Sequence, residues 1–304
     1  MMDFISILDF SRSDLESIFS EADKMQTVEH SDILKGKILA LAFFEPSTRA
    51  RLSFSAAMFK LGGCAVELGG LERSSISRGE NFSDTVKVLD SIADVIVIRH
   101  SLEGASKLAA QIAESPVINA GDGSKEHPVQ GILDLYALKH ILGKIDGLKI
   151  GLIGDLRYGR AARSFLLGLT RFLPSKIYLI SPDSLRIKED IREALITSRI
   201  DFEETPGLEE VIPELDVLYV TRLQKERFPD PTEYEKLKGT YRITKSILRE
   251  AKERMIILHP LPRTDELSSE VDDTPYAKYF EQAALYLPVA MAILKIALLS
   301  KNLD

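Results

Sequence analysis

Only one cysteine, Cys64, occurs in the 304 residues, so the chain has no intramolecular disulfide. The opening residues, MMDFISILDF, lack a basic leader segment. Both absences favour a reducing, cytoplasmic setting. Long unbroken apolar runs are missing as well. The longest apolar stretch, AALYLPVAMAILKIALL, is interrupted by Pro288 and Lys295. Its uninterrupted parts are too short to span a bilayer, so it reads as a buried terminal helix and no membrane partner is expected. Positive charge is in deficit, with a net charge of −7. A broad nucleic-acid surface is therefore not expected, and an anionic substrate must be met by a few arginines in a cleft.

Several kinds of chemistry are also struck out. The chain has no Walker A sequence and no G-x-S-x-G. Its His and carboxylate spacing gives no zinc or iron site. IGLIGDLRYG approaches a dinucleotide turn, but Gly151, Gly154 and Gly159 miss the G-x-G-x-x-G spacing. No acidic residue ends the next strand at the expected distance, so NAD is not expected either. Low-complexity tracts and short repeats are absent.

What is present is a soluble globular balance, 45% apolar and 28% charged, in a length suited to about two domains. Strand-like and helix-like segments alternate. Ser13 and Glu16 form a capping-box pattern ahead of Leu15, Ile18, Phe19 and Ala22 on one helical face. ILALAFF reads as a buried strand, and the helix after Ser47 stops at Gly62-Gly63. CAVEL, DVIVIR and PVINA supply further strands, with a helix carrying Phe82, Val86, Leu89 and Ala93 and another near 102–114. A helix from Pro128 to about Leu142 then leads to a second series. Its strands are LKIGLIGD, KIYLIS, DVLYV and MIILHP, with helices near 160–173, 187–199 and 243–252. The expected fold class is α/β: two doubly wound domains with parallel sheets and a cleft between them. The first spans 1–128 and the second 129–286, with a C-terminal helix over 287–304 returning to the first. Ligands belong at the carboxyl ends of the strands.

The chemistry-bearing residues fall there. Ser47, Thr48 and Arg49 follow LAFF at a helix start, where free N–H groups add donors and a positive dipole end. Arg99 and His100 end DVIVIR, and GDGSKEHPVQ puts His127 and Gln130 at the next helix start. GDLRYGRAA offers Arg157 and Arg160, YVTRLQKERF offers Arg222 and Gln224, and LHPLPRTDE closes the last strand. Plain readings stand beside these. A Ser-Thr pair before a helix is most often only an N-cap, and a strand-end arginine is usually a surface charge. His30, His140 and His259 are expected to be structural or exposed, and Cys64 a small core residue. Arginine, hydroxyl, imidazole and amide groups facing one cleft position anions and stabilise an oxyanion without a covalent nucleophile.

Taken together, FFEPSTRARLSF, RGE, VIRH, GDGSKEHPVQ, GDLRYGR, TRLQKER and HPLPR resemble the aspartate and ornithine carbamoyltransferases, in order, over about residues 1–300. TRLQKER and HPLPR are similar to the aspartate branch. The ornithine branch has a cysteine where Pro260 stands. The resemblance implies transfer of a carbamoyl group from carbamoyl phosphate to the α-amine of L-aspartate, in pyrimidine biosynthesis, with no cofactor or metal. It implies that Ser47, Thr48 and Arg49 hold the phosphate, and that Arg99, His127 and Gln130 orient the carbamoyl group. Arg49, Arg99 and His127 make up the catalytic set. Arg160 and Arg222 match the aspartate-binding arginines, with Gln224 beside them and Leu261 supplying backbone near the amine. Two carboxylates suit two planar, always-charged forks. The amine would attack through a tetrahedral oxyanion, the departing phosphate taking the proton, with domain closure expelling water. The family's shared loop matches ERSSISRGE, so Ser74 and Arg78 of a neighbouring subunit would complete each site in a homotrimer. A separate regulatory chain remains open.

The chain departs from the family in four places. Position 50 is alanine in place of threonine, Arg78 replaces lysine, Leu285-Tyr286 replaces Asn-Gly, and Ala290 replaces arginine. Losing a principal oxyanion donor costs roughly 10²–10³ in rate. With Arg49, Arg99 and His127 retained, a smaller loss is expected from Ala50. The changes at 285–286 and 290 point to the domain hinge or subunit contacts. Two other readings stay open: a paralogue that binds or assembles without catalysis, and a carbamoyltransferase for another amino acid.

Overall fold

The computed structural model describes residues 1–69, 75–228 and 230–299. It divides into two compact units, Met1–Ile132 with Leu285–Asp304, and Leu133–Ala284.

The first unit opens with α1 (Arg12–Met25), which buries Leu15, Ile18, Phe19 and Ala22. Its capping box is Ser11 and Asp14, not Ser13 and Glu16: Ser11 Oγ accepts the Asp14 N–H at 3.2 Å and Asp14 accepts the Ser11 N–H at 2.7 Å. Ser11 has the extended backbone a cap needs, whereas Ser13 is already in the first turn and Glu16 pairs with Arg12 at 2.9 Å. There follow β1 (Ile38–Phe43), α2 (Arg49–Lys60), β2 (Cys64–Glu67), α3 (Phe82–Asp90), β3 (Val95–His100), α4 (Ala105–Ile112), β4 (Val117–Asp122) and α5 (Pro128–Leu142). The division between units falls within α5. Gly62 ends α2 with φ +86°, and a Cβ there would stand 2.8 Å from the Ser31 carbonyl oxygen.

The four strands run parallel in the order β2-β1-β3-β4. Because β2 pairs on one side only, all four of its residues are exposed, and Cys64 is an exposed thiol and not a core residue. Its apolar letters belong to a sheet edge.

In the second unit β5 (Lys149–Ile153), α6 (Arg160–Leu169), β6 (Lys176–Ile180), α7 (Glu189–Thr197), β7 (Phe202–Thr205), β8 (Val217–Val220), α8 (Pro231–Leu237), β9 (Ile256–Leu258) and α9 (Tyr279–Ala284) follow. Their parallel sheet has the order β7-β6-β5-β8-β9. The sequence reading lacks β7, α8 and α9. The helix expected over 243–252 is a single 3-10 turn, Ile247–Glu250. Ile243 instead bridges to Leu267, and both enter the core beside Leu248 and Val271. The apolar spacing there serves a packed loop.

The chain ends in α10 (Tyr286–Leu299), which packs with α1 and α2 of the first unit. The helical run Tyr279–Leu299 is 21 residues, long and apolar enough to cross a membrane by length and composition, contrary to the sequence reading. Burial accounts for that apolarity: Val289 through Leu294 are at most 1% exposed, and Lys295 reaches Glu21 at 2.6 Å. Strand order reverses between β1 and β3 in the first unit and between β5 and β8 in the second. In open α/β sheets such reversals are where ligands bind.

Candidate active site

The first unit's candidates leave the two strands that flank its reversal, β1 and β3, and the next strand, β4. After β1 the chain turns through Phe44–Ser47 into α2, whose N-cap residue is Thr48. The Thr48 side chain makes no cap hydrogen bond, and the residue is exposed. The hydroxyl is therefore not used in the plain N-cap role, and the first N–H groups of α2 share that end of the helix. Ser47 and Arg49 are half-buried beside it. Arg99, at the end of β3, donates from Nη1 to the Ala120 carbonyl at 3.2 Å, and Glu45 Oε2 lies 3.7 Å from its Nε.

His100, the next residue, is structural. Its ring lies 4.8 Å from Phe44 and 5.3 Å from Phe82, and Nδ1 accepts the Leu102 N–H at 2.9 Å. Burial lowers its pKa while the Glu45 charge acts the other way, so the ring is neutral at pH 7.

His127 and Gln130 are buried at the head of α5, 7% and 6% exposed. His127 Nδ1 accepts the Gln130 N–H at 3.3 Å, which in a neutral ring puts the proton on Nε2. The preceding residue, Glu126, accepts from Ser6 Oγ and the Ile7 N–H, each at 2.9 Å, tying this loop to the N-terminal segment.

In the second unit the same arrangement recurs around β5 and β8. Gly154 follows β5 with φ +118°, and a Cβ there would come within 2.0 Å of the Thr221 carbonyl oxygen. Only glycine permits that approach. Asp155, fully buried, accepts N–H groups from Arg157 at 3.2 Å, Tyr158 at 2.8 Å and Gln224 at 3.1 Å. Burial pushes its carboxyl up; the three N–H donors and the Arg222 charge pull it down, and burial prevails. One carboxylate thus ties the loop before Arg160 to the loop carrying Gln224.

Arg160 starts α6, 8% exposed. Arg222 forks onto Glu226 at 3.1 and 2.5 Å and donates to the Leu223 carbonyl at 3.0 Å. A depression of about 420 Å³, including space open to solvent, is lined by Thr221, Leu223, Tyr241, Thr264 and Glu266. Leu261, after β9, is held with φ +49°. Arg157 is exposed over the Tyr158 ring.

Ser74 lies outside the described residues. Arg78 is exposed at the end of a 3-10 turn, Ser75–Arg78, and donates to Ser75 Oγ at 3.3 Å. Three departures from the family pattern lie in the packing of α2 and α10: Ala50, Tyr286 and Ala290 are all buried, and the Tyr286 ring meets Phe54 edge-on at 6.3 Å. They are part of the first unit's own core. Glu45, Asp134, Asp155 and Glu266 were missed from the sequence. Asp134 had a readable signal, being a single acid within the otherwise apolar GILDLYAL.

Residues 2–140 match the sequence profile described as the carbamoyl-P binding domain of aspartate/ornithine carbamoyltransferase, and residues 146–297 match its Asp/Orn binding domain. The chain belongs to the aspartate/ornithine carbamoyltransferase family. It is 60% identical over 298 residues to the aspartate carbamoyltransferase catalytic subunit of Thermofilum pendens, covering 97% of this chain and 95% of that one. The corresponding subunit of Korarchaeum cryptofilum is 56% identical over 292 residues, 96% of each chain. Among solved structures, the Trypanosoma cruzi aspartate transcarbamoylase in complex with carbamoyl phosphate and aspartate superposes with a TM-score of 0.92 at 40% identity, covering 97% of this chain and 96% of that one. The catalytic subunit of the M. jannaschii enzyme gives 0.90 at 47% identity, with 99% of each chain covered. Both carbamoyltransferase domains are therefore represented along nearly the whole length.

Proposed function

We propose that this chain transfers the carbamoyl group of carbamoyl phosphate to the α-amine of L-aspartate, yielding N-carbamoyl-L-aspartate and phosphate for pyrimidine biosynthesis. The observation that carries the reading is positional. Ser47, Thr48, Arg49 and Arg99 leave β1 and β3, and Arg160 and Arg222 leave β5 and β8, the strands that flank the order reversal in each unit, while His127 and Gln130 follow the neighbouring β4. The relatives named for this activity share the chain at up to 60% identity.

Ser47, Thr48 and Arg49, with the α2 N–H groups, take the phosphate. Arg99 and the His127 Nε2–H polarise the carbamoyl oxygen, and Gln130 orients the amide. Arg160 and Arg222 take the two carboxylates of aspartate, with Gln224 beside them, and the Leu261 backbone accepts from the amine. The neutral amine attacks the carbamoyl carbon, giving a tetrahedral oxyanion that Arg49, Arg99 and His127 stabilise. The carbon–oxygen bond to phosphate then breaks, and phosphate removes the amine's proton. No covalent nucleophile and no metal enter these steps.

Ser74 and Arg78 of a neighbouring copy complete each site in a cytoplasmic homotrimer. The relatives' designation as catalytic subunits supports a separate regulatory chain. Incubation with carbamoyl phosphate and L-aspartate, with L-ornithine and no-acceptor controls, is expected to yield carbamoyl-aspartate and phosphate alone. Another carbamoylated product moves the substrate, and no turnover by folded protein removes the proposal. Mixing a Ser74→Ala/Arg78→Ala chain with an Arg222→Ala chain is expected to restore part of the activity if copies share sites; subunit-exchanged mixtures without recovery exclude sharing.

A further inference from the structure

We infer that His259 is a positioning residue for the aspartate half of the reaction, holding the Leu261 backbone in the orientation that meets the substrate's amine. The inference rests on the assignment of Leu261 to the amine proposed above. The His259 ring is buried, and its two nitrogens have opposite jobs. Nε2 lies 2.8 Å from Glu266 Oε1, and Nδ1 lies 2.7 Å from the Leu261 N–H.

Burial alone would raise the Glu266 carboxyl, but hydrogen bonds from His259 and Thr264 outweigh it and hold the group at about 2. At neutral pH Glu266 is therefore an acceptor only, so Nε2 carries a proton. A backbone N–H is a donor only, so Nδ1 carries none. The two contacts agree on one neutral tautomer. A protonated ring would set two donors facing each other at Nδ1.

Leu261 needs such a hold. Its φ of +49° is a left-handed conformation that a branched side chain rarely adopts without support. With its N–H tied to the ring, the peptide group that leads into Leu261 is fixed before substrate arrives, and its carbonyl is carried on that fixed frame.

His259 is itself braced twice, at the ring by Glu266 and at its backbone N–H by Gln282. Glu266 accepts from the Thr264 N–H at 3.1 Å and Thr264 Oγ1 at 2.6 Å. The His259 N–H donates to Gln282 Oε1 at 2.8 Å, and Gln282 Nε2 donates to Asp134 Oδ1 at 2.6 Å. Asp134 Oδ2 accepts from Tyr219 Oη at 2.7 Å. Asp134, Tyr219 and Gln282 are at most 1% exposed. A chain of buried polar groups thus runs from β8 through α5 and α9 to the loop after β9. Apolar packing of equal volume would serve stability as well, whereas a satisfied polar chain specifies one arrangement.

The test compares two isosteric half-replacements by steady-state kinetics, with thermal melts run alongside. In His259→Asn, Oδ1 falls near the position of Nδ1 and still accepts the Leu261 N–H. In His259→Gln, the amide reaches toward Glu266 and no longer offers the Leu261 N–H an acceptor at the Nδ1 position. His259→Gln is expected to raise the aspartate KM by roughly 10-fold or more, with the carbamoyl phosphate KM within about 2-fold, and His259→Asn to recover most of that loss. An active wild type in which Asn and Gln variants are impaired alike, or in which both KM values rise together, overturns the proposal while leaving the function standing. A wild type that does not carbamoylate aspartate overturns the function and this proposal with it.

Discussion

Around β1, β3 and β4 of the first unit, backbone groups make direct hydrogen bonds to Arg99 and His127. The carboxylates of Glu45 and Glu126 stand farther off, 3.7 Å from Arg99 Nε and on the loop before His127. Arg99 donates to the Ala120 carbonyl, His127 accepts the Gln130 N–H, and Thr48 heads α2 without a side-chain cap. Around β5, β8 and β9 of the second unit, carboxylates do the holding: buried Asp155 for Gln224, exposed Glu226 for Arg222, and buried Glu266 through His259 for Leu261. The sheets are alike and the supports differ. A phosphate dianion is a strong, nearly symmetric acceptor, and helix termini with a few cations suffice to seat it. L-Aspartate carries two carboxylates and an amine in one small frame. Its site must therefore set donors and acceptors in place beforehand, and carboxylate anchors supply that order.

The comparison breaks most directly at the arginines. Arg49→Ala is expected to lower kcat/KM for carbamoyl phosphate by about 10²–10³ while the aspartate KM moves only a few-fold. Arg222→Ala should give the converse pattern. Equal losses for both substrates with either variant would erase the division of labour.

Next in size is Asp155. Its replacement by alanine leaves the N–H groups of Arg157, Tyr158 and Gln224 without their buried acceptor, at about 1–3 kcal/mol each. A drop in unfolding free energy of roughly 3 kcal/mol or more is expected in denaturant titrations. Asp155→Asn keeps the acceptor that serves Arg157 and Tyr158 and should cost less. Its main effect should be a weaker hold on Gln224, read as a higher aspartate KM.

Acid sharpens the contrast from another side. The Glu266 carboxyl is lower in the folded chain, at about 2, than the ordinary 4.5. Its stabilisation is therefore complete above about pH 4.5 and lost as the pH falls through about 2, on the order of 2–3 kcal/mol in all. Glu266→Gln is expected to flatten the stability profile over that window. An unchanged profile would mean that the His259–Glu266 pair adds nothing to the native state.

The smallest effect belongs to Glu226, which is half-exposed and one turn from Arg222. Such pairs are worth about 0.3–0.5 kcal/mol. Glu226→Gln weakens the fork that holds Arg222 and should raise the aspartate KM by about 2-fold. A lower KM would show that Glu226 competes with the substrate for Arg222.

Much of this was legible in the sequence because the relevant signals are local. Buried runs such as ILALAF and VIVIR have no reading but a parallel strand, and an arginine or hydroxyl just past a strand end keeps its place whatever surrounds it. Where the reading failed, the deciding contacts were distant. FEET carries no apolar pattern, yet it is β7, paired in parallel with β6, with Lys176 of β6 on Glu203 and Arg192 of α7 on Glu204. Two serine-to-acid frames compete at the start of α1, and only the backbone at Ser11 selects between them. Cys64 has a core-like sequence and an edge position.

By itself, the sequence determined the two α/β units, their strand-end arginines and the family, since periodicity and short motifs act over a few residues. Only the tertiary structure decided which buried acids serve those groups. Asp134 meets Gln282 across 148 positions of chain, and Asp155 meets Gln224 across 69. Hydrogen bonds reach about 3 Å in space and take no account of distance along the chain, so such partners exist only once the sheets have formed.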